Sequence, residues 1–285
     1  MAVYETQYVY TLTGTPPNFT AGSRTDANVV GSNEQPATDS FSPGDEITIF
    51  LTLPYAGFFG NGYIVQNGSN YILYSNDPSI TSPFVMNTGV FPVCFLAGTA
   101  IAVEGGTRPV ETLSIGDLVL TADGRVVPVR WVGVQTVVSV FADPLRAFPV
   151  RIAAGALGEG LPVRDLRLSP DHALLLDGVL VQAGALVNGT TIVRESAMPE
   201  RFTYYHLELD DHALVLAEGV PAETFVDNGA RRRFDNFATF EALYGTDAAV
   251  AAEMDAPRVK SARQLPQALR DRLAALAAAL AAPAA

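Results

Sequence analysis

The first third of the chain alternates hydrophobic and polar residues in short runs, which are separated by glycine, proline, asparagine and serine. Alternation with a period of two is typical of β-strands that bury one face. The pattern predicts four strands: Tyr4–Leu12, Glu46–Leu53, Gly62–Gln66 and Asn70–Tyr74. The last two are joined through Asn67-Gly68, a dipeptide that favours a tight hairpin turn. Residues 1–93 are therefore predicted to form a small all-β domain with long loops.

Strand-like runs continue through residues 94–233, where three dipeptides favour turns with positive φ: Asp123-Gly124, Asp177-Gly178 and Asn188-Gly189. Two segments of this region resemble each other. Leu166–Leu176 reads LRLSPDHALLL and Leu207–Leu216 reads LELDDHALVL, and the shared DHAL motifs lie forty residues apart. The repeat predicts an all-β module built from duplicated hairpins with pseudo-two-fold symmetry.

Residues 234–285 become rich in alanine, and their leucines are spaced three or four residues apart over 265–281. This spacing predicts an amphipathic C-terminal helix. Its apolar stripe would pack on the rest of the chain or on a protein partner.

Charge and composition argue against some classes of function. The 285-residue chain has 18 basic and 30 acidic residues, a net charge of −12, which argues against a nucleic-acid partner. Residues 1–93 contain seven acids, one base and 14 of the 26 aromatic residues, so this part of the chain suits contact with a protein partner. The sequence predicts no membrane span and no secretory signal. We therefore expect a soluble protein, with any export by another route.

The chain has a single cysteine, Cys94, which excludes an intramolecular disulfide and a multi-cysteine metal site. The acids of residues 1–93 lack the spacing of a calcium loop, and we predict neither a metal nor a cofactor. All three histidines, His172, His206 and His212, lie in or beside the two DHAL segments. They could be structural hydrogen-bonding residues or proton-transfer groups, and the pattern alone leaves both open.

Three motifs together carry a family resemblance. They are CFLAGTAIAV over Cys94–Val103, PVETLSIGDLVL over Pro109–Leu120 and SPDH over Ser169–His172. In this order and spacing they resemble the Hint family, the domain shared by hedgehog autoprocessing modules and inteins, and are most similar to bacterial Hint-domain proteins. The resemblance runs from Cys94 to about Arg233. It implies that residues 94–233 form a Hint-like autoprocessing domain.

The resemblance also implies a chemistry. The Cys94 thiol would attack the carbonyl of Val93, and the peptide bond would become a thioester. His172 would protonate the leaving amide nitrogen. Ser169 replaces the usual threonine and would bind the scissile amide or the developing oxyanion. Water, a thiol or an amine would then take the acyl group, so that each chain acts once.

The two other histidines and two departures from the family refine this picture. His206 falls where inteins carry an aspartate and His212 near their penultimate histidine, with catalytic and structural roles both open. Asn228 lacks the preceding histidine and the following Cys, Ser or Thr that splicing needs, so splicing is not predicted. Gln135 lies where hedgehog modules carry a sterol-activating aspartate, so sterol transfer is not predicted. The basic run at 231–233 is predicted to be solvated.

Two other functions stay open at this stage. The chain could be a surface or binding module in which the Hint-like unit is a weakly catalytic scaffold and Cys94 is a packed thiol. It could also be a cysteine hydrolase acting on other substrates, although the patterns CGSCW and QACxG are absent from the sequence. Autocatalytic cleavage at Val93–Cys94 is the leading hypothesis.

Overall fold

The computed structural model describes residues 3–16, 18–32, 46–48, 52–59, 62–75, 84–85, 93–139, 142–225, 231, 234–245 and 251–281. The chain divides into two compact units. The first contains residues 1–90, 136–147 and 198–202, and the second contains residues 91–135, 148–197 and 203–285. The functional boundaries at 93/94 and 233/234 stay predictions.

The described strands of residues 1–90 are antiparallel and form one sheet. They are β1 (Val3–Thr15), β2 (Asn18–Ser32), β3 (Glu46–Thr48), β4 (Thr52–Phe59), β5 (Gly62–Asn67), β6 (Asn70–Ser75) and β7 (Phe84–Val85). Their order is β1-β6-β5-β4-β3-β2-β7, and β1 also pairs with β2, so that six of the strands close into a ring. Buried side chains inside it include Tyr10, Leu12, Phe19, Ile64 and Leu73.

Two predictions about this unit have different outcomes. The hairpin is confirmed, but its two-residue loop is Gly68-Ser69, one residue later than the predicted Asn67-Gly68, because Asn67 pairs with Asn70 and Gly68 has a φ of +61°. The single strand over Glu46–Leu53 is wrong, because Thr48 pairs with Thr52 in an antiparallel hairpin of β3 and β4. Residues 49–51 contain no glycine, proline or asparagine to signal a reversal, and the hydrophobic alternation does not show one.

Two sheets make up the rest of the described strands. The first has the order β12-β11-β9-β20-β21-β16-β17-β22, with β10 on β9, and the second has the order β13-β19-β8-β15-β14-β18. The strands are β8 (Phe95–Leu96), β9 (Ala100–Val103), β10 (Gly106–Pro109), β11 (Leu118–Leu120), β12 (Val126–Pro128), β13 (Trp131–Val138), β14 (Val150–Ile152), β15 (Leu166–Leu168), β16 (Ala173–Leu176), β17 (Val179–Gln182), β18 (Ile192–Arg194), β19 (Arg201–Glu208), β20 (Leu214–Ala217), β21 (Val220–Glu223) and β22 (Arg258–Val259).

The helical elements are short, except for the last one. The α-helices are α1 (Pro144–Ala147), α2 (Phe237–Tyr244) and α3 (Gln267–Ala281), and 3₁₀ turns lie at Val110–Thr112, Ala183–Leu186 and Ala262–Gln264.

The duplicated hairpins predicted from the DHAL repeat are β16–β17 and β20–β21. Each has two consecutive turn residues with positive φ, 50° and 80° at Asp177-Gly178 and 48° and 83° at Glu218-Gly219. The hairpins are neighbours in one sheet, since Leu174 of β16 pairs with Ala222 of β21. The mainly β fold with duplicated hairpins is therefore confirmed.

The C-terminal helix is confirmed and begins two residues later than predicted, at Gln267. Pro266 disfavours helical backbone at the residue before it, which explains the later start. Leu269, Leu273 and Ala277 form the buried stripe, which belongs to or borders the main core.

The basic run at 231–233 was predicted to be solvated, and for Arg231 this is wrong. Its guanidinium donates two hydrogen bonds, at 3.1 and 3.0 Å, to the carboxylate of Glu208, and both side chains are buried. A buried arginine needs such a bidentate partner, and the sequence gives no sign that Glu208 in β19 supplies it.

Candidate functional site

Cys94 lies immediately before β8, in the middle of the six-stranded sheet. On one side Phe95 pairs with Leu168 of β15, and on the other side it pairs with Tyr205 of β19. One step further along the same antiparallel registers, Ser169 and His206 flank Cys94. Sheet register therefore brings together three residues that are far apart in the sequence.

Ser169 holds Cys94 through two hydrogen bonds. The amide N–H of Cys94 donates to the Ser169 Oγ at 2.8 Å, and the amide N–H of Ser169 donates to the Cys94 carbonyl at 2.9 Å. The first of these involves the nitrogen of the Val93–Cys94 peptide bond. The hydroxyl is 1% exposed, so water competes little for this contact.

His172 lies next to this peptide bond. Its amide N–H donates to the Ser169 carbonyl at 3.1 Å, and its ring packs on Phe95 with centroids 4.3 Å apart. The ring Nε2 lies 3.1 Å from the carbonyl oxygen of Glu223. Because a carbonyl only accepts, Nε2 carries the proton and Nδ1 carries a lone pair.

The Nδ1 of His172 is available for a proton. Among the described residues it has no hydrogen-bond partner of normal geometry, and it is buried. The Cys94 backbone nevertheless lies close enough to the ring to favour its protonated form. Nδ1 is therefore the ring atom of His172 whose lone pair no described residue engages.

Burial dominates the electrostatics of the site. It raises the pKa of the Cys94 thiol well above its usual value. It also lowers the pKa of His172 to about 4, although the backbones of Cys94 and Glu223 oppose this shift. Near neutral pH the thiol and the imidazole are therefore both uncharged, and a reaction between them must begin from this neutral pair.

His206 extends the buried cluster. Its ring centroid lies 5.4 Å from that of His172 and 5.2 Å from that of Phe225. Burial, and then the nearby His172 and His212, lower the pKa of His206 well below the usual value. A neutral ring beside Cys94 is what the structure provides where inteins carry an aspartate.

His212 makes different contacts. Its Nδ1 accepts the amide N–H of Met254 at 2.8 Å, so its proton is on Nε2, which points towards Glu223 Oε2 at 3.7 Å. Burial lowers the pKa of His212, and the Glu223 carboxylate opposes this effect. A hydrogen bond from Met254 therefore connects His212 to the C-terminal segment.

The motif residues after Cys94 shape the turn that follows it. Gly98 has a φ of +88°, and its amide N–H donates to the Glu111 carboxylate at 2.7 Å. The buried Thr99 hydroxyl donates to the Leu96 carbonyl at 2.7 Å. These residues support the geometry around Cys94 and make no contact that calls for a chemical role.

Sequence reasoning missed three residues near the site. Tyr204 is fully buried on β19, and burial, followed by the nearby Cys94, raises the pKa of its hydroxyl well above the usual value. Glu223 and Arg258 form an ion pair beside His172, with Arg258 Nη2 at 2.8 Å from Glu223 Oε2. The available signal was Glu223 itself, a single acid in the apolar run of β21.

The buried histidines predict how stability depends on pH. Below a pH of about 6.5 the unfolded chain binds a proton at His172, whereas the folded chain does so only near pH 4. The free energy of unfolding therefore falls as the pH is lowered through this window, by roughly 3 kcal/mol from His172 alone. Urea unfolding of the Cys94→Ala chain, followed by the fluorescence of the single tryptophan, Trp131, measures it. The same dependence on pH in a Cys94→Ala, His172→Gln chain would show that His172 is not its cause.

Duplicated hairpins, an internal cysteine and a buried Ser-x-x-His motif are the features that the resemblance of the sequence to Hint domains implies. The family model described as "Hint domain" matches residues 93–229. Residues 93–229 thus form a Hint domain, a kind of domain that includes self-processing members.

Solved structures with similar folds are inteins and intein-like domains. The MchDnaB-1 intein shares 16% identity over 45% of this chain and 98% of its own, with a TM-score of 0.32. An intein-like domain from Clostridium thermocellum shares 20% identity over 46% of this chain and 98% of its own, with a TM-score of 0.33. The gp41-1 intein shares 13% identity over 46% and 98%, with a TM-score of 0.33. No curated protein sequence matches the chain.

Two kinds of feature are absent from the described residues. No helix there is long and apolar enough to cross a membrane. No group of three or more His, Cys, Asp or Glu side chains there is arranged to hold a metal ion.

Proposed function

We propose that this chain cleaves its own Val93–Cys94 peptide bond through a thioester. The Cys94 sulfur attacks the Val93 carbonyl carbon, the C–N bond breaks, and residues 1–93 become attached to the thiol. The observation that carries the proposal is the hydrogen bond from the amide nitrogen of this bond to Ser169 Oγ, at 2.8 Å, beside the ring of His172.

The proton balance follows from the neutral pair. The thiol loses a proton to His172 Nδ1, and the leaving nitrogen takes one from the same atom, so the net change moves one proton from sulfur to nitrogen. The lone pair on Nδ1 suits this relay, because the ring must accept a proton before it donates one. The lowered pKa of His172 makes the protonated ring harder to form, but a stronger acid towards the leaving nitrogen once it has formed.

The thioester then needs an acceptor from outside. Water would release residues 1–93 with a free carboxylate, whereas a small thiol or an amine, including that of a partner protein, would take the acyl group. In each case Cys94 regains its thiol, and the new chain begins at Cys94. Splicing is not part of the proposal, since Asn228 lacks the neighbouring residues that it needs and lies outside the described residues.

The burial of Cys94 supports action within one chain. The residue is 0% exposed, so a peptide from solution has no approach to the sulfur, whereas the carbonyl of Val93 is directly bonded to the Cys94 nitrogen. This observation argues against a cysteine hydrolase that turns over other substrates.

A second function, a binding module with a weakly catalytic scaffold, is favoured by a different observation. Burial raises the pKa of the Cys94 thiol and lowers the pKa of His172, and both shifts reduce the charged forms that reaction needs. In that case residues 1–93 would stay attached and serve recognition, and Cys94 would act as a packed thiol.

Intact mass of the purified chain over time separates the candidates. Self-cleavage produces two fragments, residues 1–93 and 94–285, and dithiothreitol accelerates their release by capturing the thioester. A chain that stays whole with dithiothreitol and with hydroxylamine would favour the binding module. Turnover of an added peptide would favour the hydrolase.

Substitution of Ser169 tests the contact that carries the proposal. Ser169→Ala removes the acceptor from the scissile amide, and we expect cleavage to slow by about two- to tenfold, the value of one hydrogen bond. Ser169→Thr keeps the hydroxyl, restores the residue usual in the family, and should keep at least the wild-type rate. The measurement is the rate of fragment formation with dithiothreitol. Equal rates for Ser169→Ala and the wild-type chain would show that this contact does not assist cleavage.

A further inference from the structure

The contacts of Glu223 extend the site to a part of the chain beyond the residues matched to the Hint family. Its carbonyl oxygen accepts from His172 Nε2 at 3.1 Å, and its carboxylate Oε1 accepts the amide N–H of Ala173 at 2.9 Å. One residue therefore holds both the ring of His172 and the backbone directly after it. Glu223 fixes the ring position and places the proton on Nε2, which leaves Nδ1 free towards Cys94.

The carboxylate of Glu223 is buried and needs a compensating charge. Its side chain is 5% exposed, and Arg258 supplies the cation through Nη2 at 2.8 Å from Oε2. Removing one partner of such a pair is costly, because the other is left as an uncompensated buried charge. Without Arg258, the Glu223 carboxylate would turn towards solvent, and the contact with Ala173 would weaken.

Arg258 is itself held in place by β17, the hairpin partner of the strand that follows His172. It forms β22 with Val259 and pairs in parallel with Leu180 of β17, whose amide N–H donates to the Pro257 carbonyl at 2.8 Å. β17 is the partner of β16, the strand that begins directly after His172.

The same segment makes further contacts close to Glu223. Met254 donates its amide N–H to His212 Nδ1, and Glu253 Oε1 lies 2.7 Å from Arg258 Nε. Residues 253–259 thus contact this part of the site through backbone, carboxylate and guanidinium groups.

We infer that Glu223 and Arg258 are positioning residues for His172, and that segment 253–259 helps to set the geometry of the self-cleavage site. The inference rests on the proposed function for its rate effect, although the position of His172 can be measured without any cleavage. Neither residue touches the reacting atoms. They act by holding one ring in one orientation and one tautomer.

The test compares four substitutions in the full-length chain. Arg258→Gln and Glu223→Ala should each slow dithiothreitol-induced cleavage by about 10- to 100-fold, since a small displacement of a reacting group has effects of this size. Arg258→Lys keeps the positive charge and should recover much of the rate. Arg272→Gln is the matched control, because Arg272 joins α3 to Asp177 at 2.8 Å through an exposed ion pair that does not involve Glu223.

A spectroscopic readout separates positioning from stability. Nitrogen-15 spectra of the imidazoles, recorded on Cys94→Ala chains at pH 7, should show His172 as a single tautomer with the proton on Nε2. Arg258→Gln and Glu223→Ala keep the Glu223 carbonyl but weaken the contact of Oε1 with Ala173, which holds the backbone after His172 beside that carbonyl. Adding either substitution should therefore give averaged shifts of two tautomers, while the fluorescence of Trp131 stays native. A role limited to stability would lower the urea midpoint and leave the tautomer unchanged.

The outcomes are distinct. Slow cleavage and mixed tautomers in Arg258→Gln and Glu223→Ala, with Arg272→Gln like wild type, support the inference. Folded Arg258→Gln and Glu223→Ala chains with a wild-type rate and one tautomer overturn it. A wild-type chain that never cleaves refutes the proposed function, and the spectra then decide the positioning role alone.

Discussion

Replacement of Cys94 by alanine should abolish cleavage at the Val93–Cys94 bond. The chain contains no second cysteine, so no other thiol can form the thioester. The wild-type chain should separate into residues 1–93 and 94–285, faster with dithiothreitol, whereas the Cys94→Ala chain should stay whole. Intact mass recorded over several days, with and without dithiothreitol, measures the difference.

A Cys94→Ser chain is the matched control for this prediction. The hydroxyl has nearly the same size as the thiol but is a weaker nucleophile, so slow cleavage through an oxygen ester is the expected result. Faster cleavage of the Cys94→Ser chain by hydroxylamine would identify the ester intermediate. Fragments with the same boundary in the Cys94→Ala chain would rule out a mechanism that begins at the sulfur.

Loss of His172 should have the next largest effect. His172→Ala removes the atom that moves a proton between sulfur and nitrogen, and cleavage should slow by roughly 10²–10⁴-fold, the usual contribution of a positioned acid or base. The rate of dithiothreitol-dependent fragment formation at pH 7 measures it.

His172→Gln distinguishes proton transfer from packing. Glutamine has a similar length and can still donate to the Glu223 carbonyl, but it cannot relay a proton. Equal losses in His172→Ala and His172→Gln would point to proton transfer. Recovery of the rate in His172→Gln would mean that His172 is a structural hydrogen-bonding residue, with Trp131 fluorescence used to confirm that both chains are folded.

The sequence was informative where function depends on local motifs. Cys94, Ser169 and His172 could be named because each belongs to a short, distinctive segment, and the structure brings these segments together through the pairing of Phe95 with Leu168. The duplicated hairpins could be predicted for the same reason, since the DHAL repeat and the Asp177-Gly178 turn are visible in a few residues.

Other features depend on contacts that no local pattern encodes. The bond between His172 and Glu223 joins residues 51 positions apart, and the bond between Glu223 and Arg258 joins residues 35 positions apart. Both exist because β16 lies between β21 and β17, an arrangement that follows from packing of the whole sheet. Hydrophobic alternation cannot show such neighbours, nor could it show the reversal between β3 and β4.

Strand β22 also has a consequence for association between copies of the chain. It has two residues, yet it covers the outer side of β17, where Val179, Leu180 and Val181 stand in succession. An uncovered strand edge rich in β-branched and aliphatic residues is a template for pairing with another chain. A chain shortened before Arg258 would present this edge to its neighbours, and sheet-to-sheet aggregation would compete with folding.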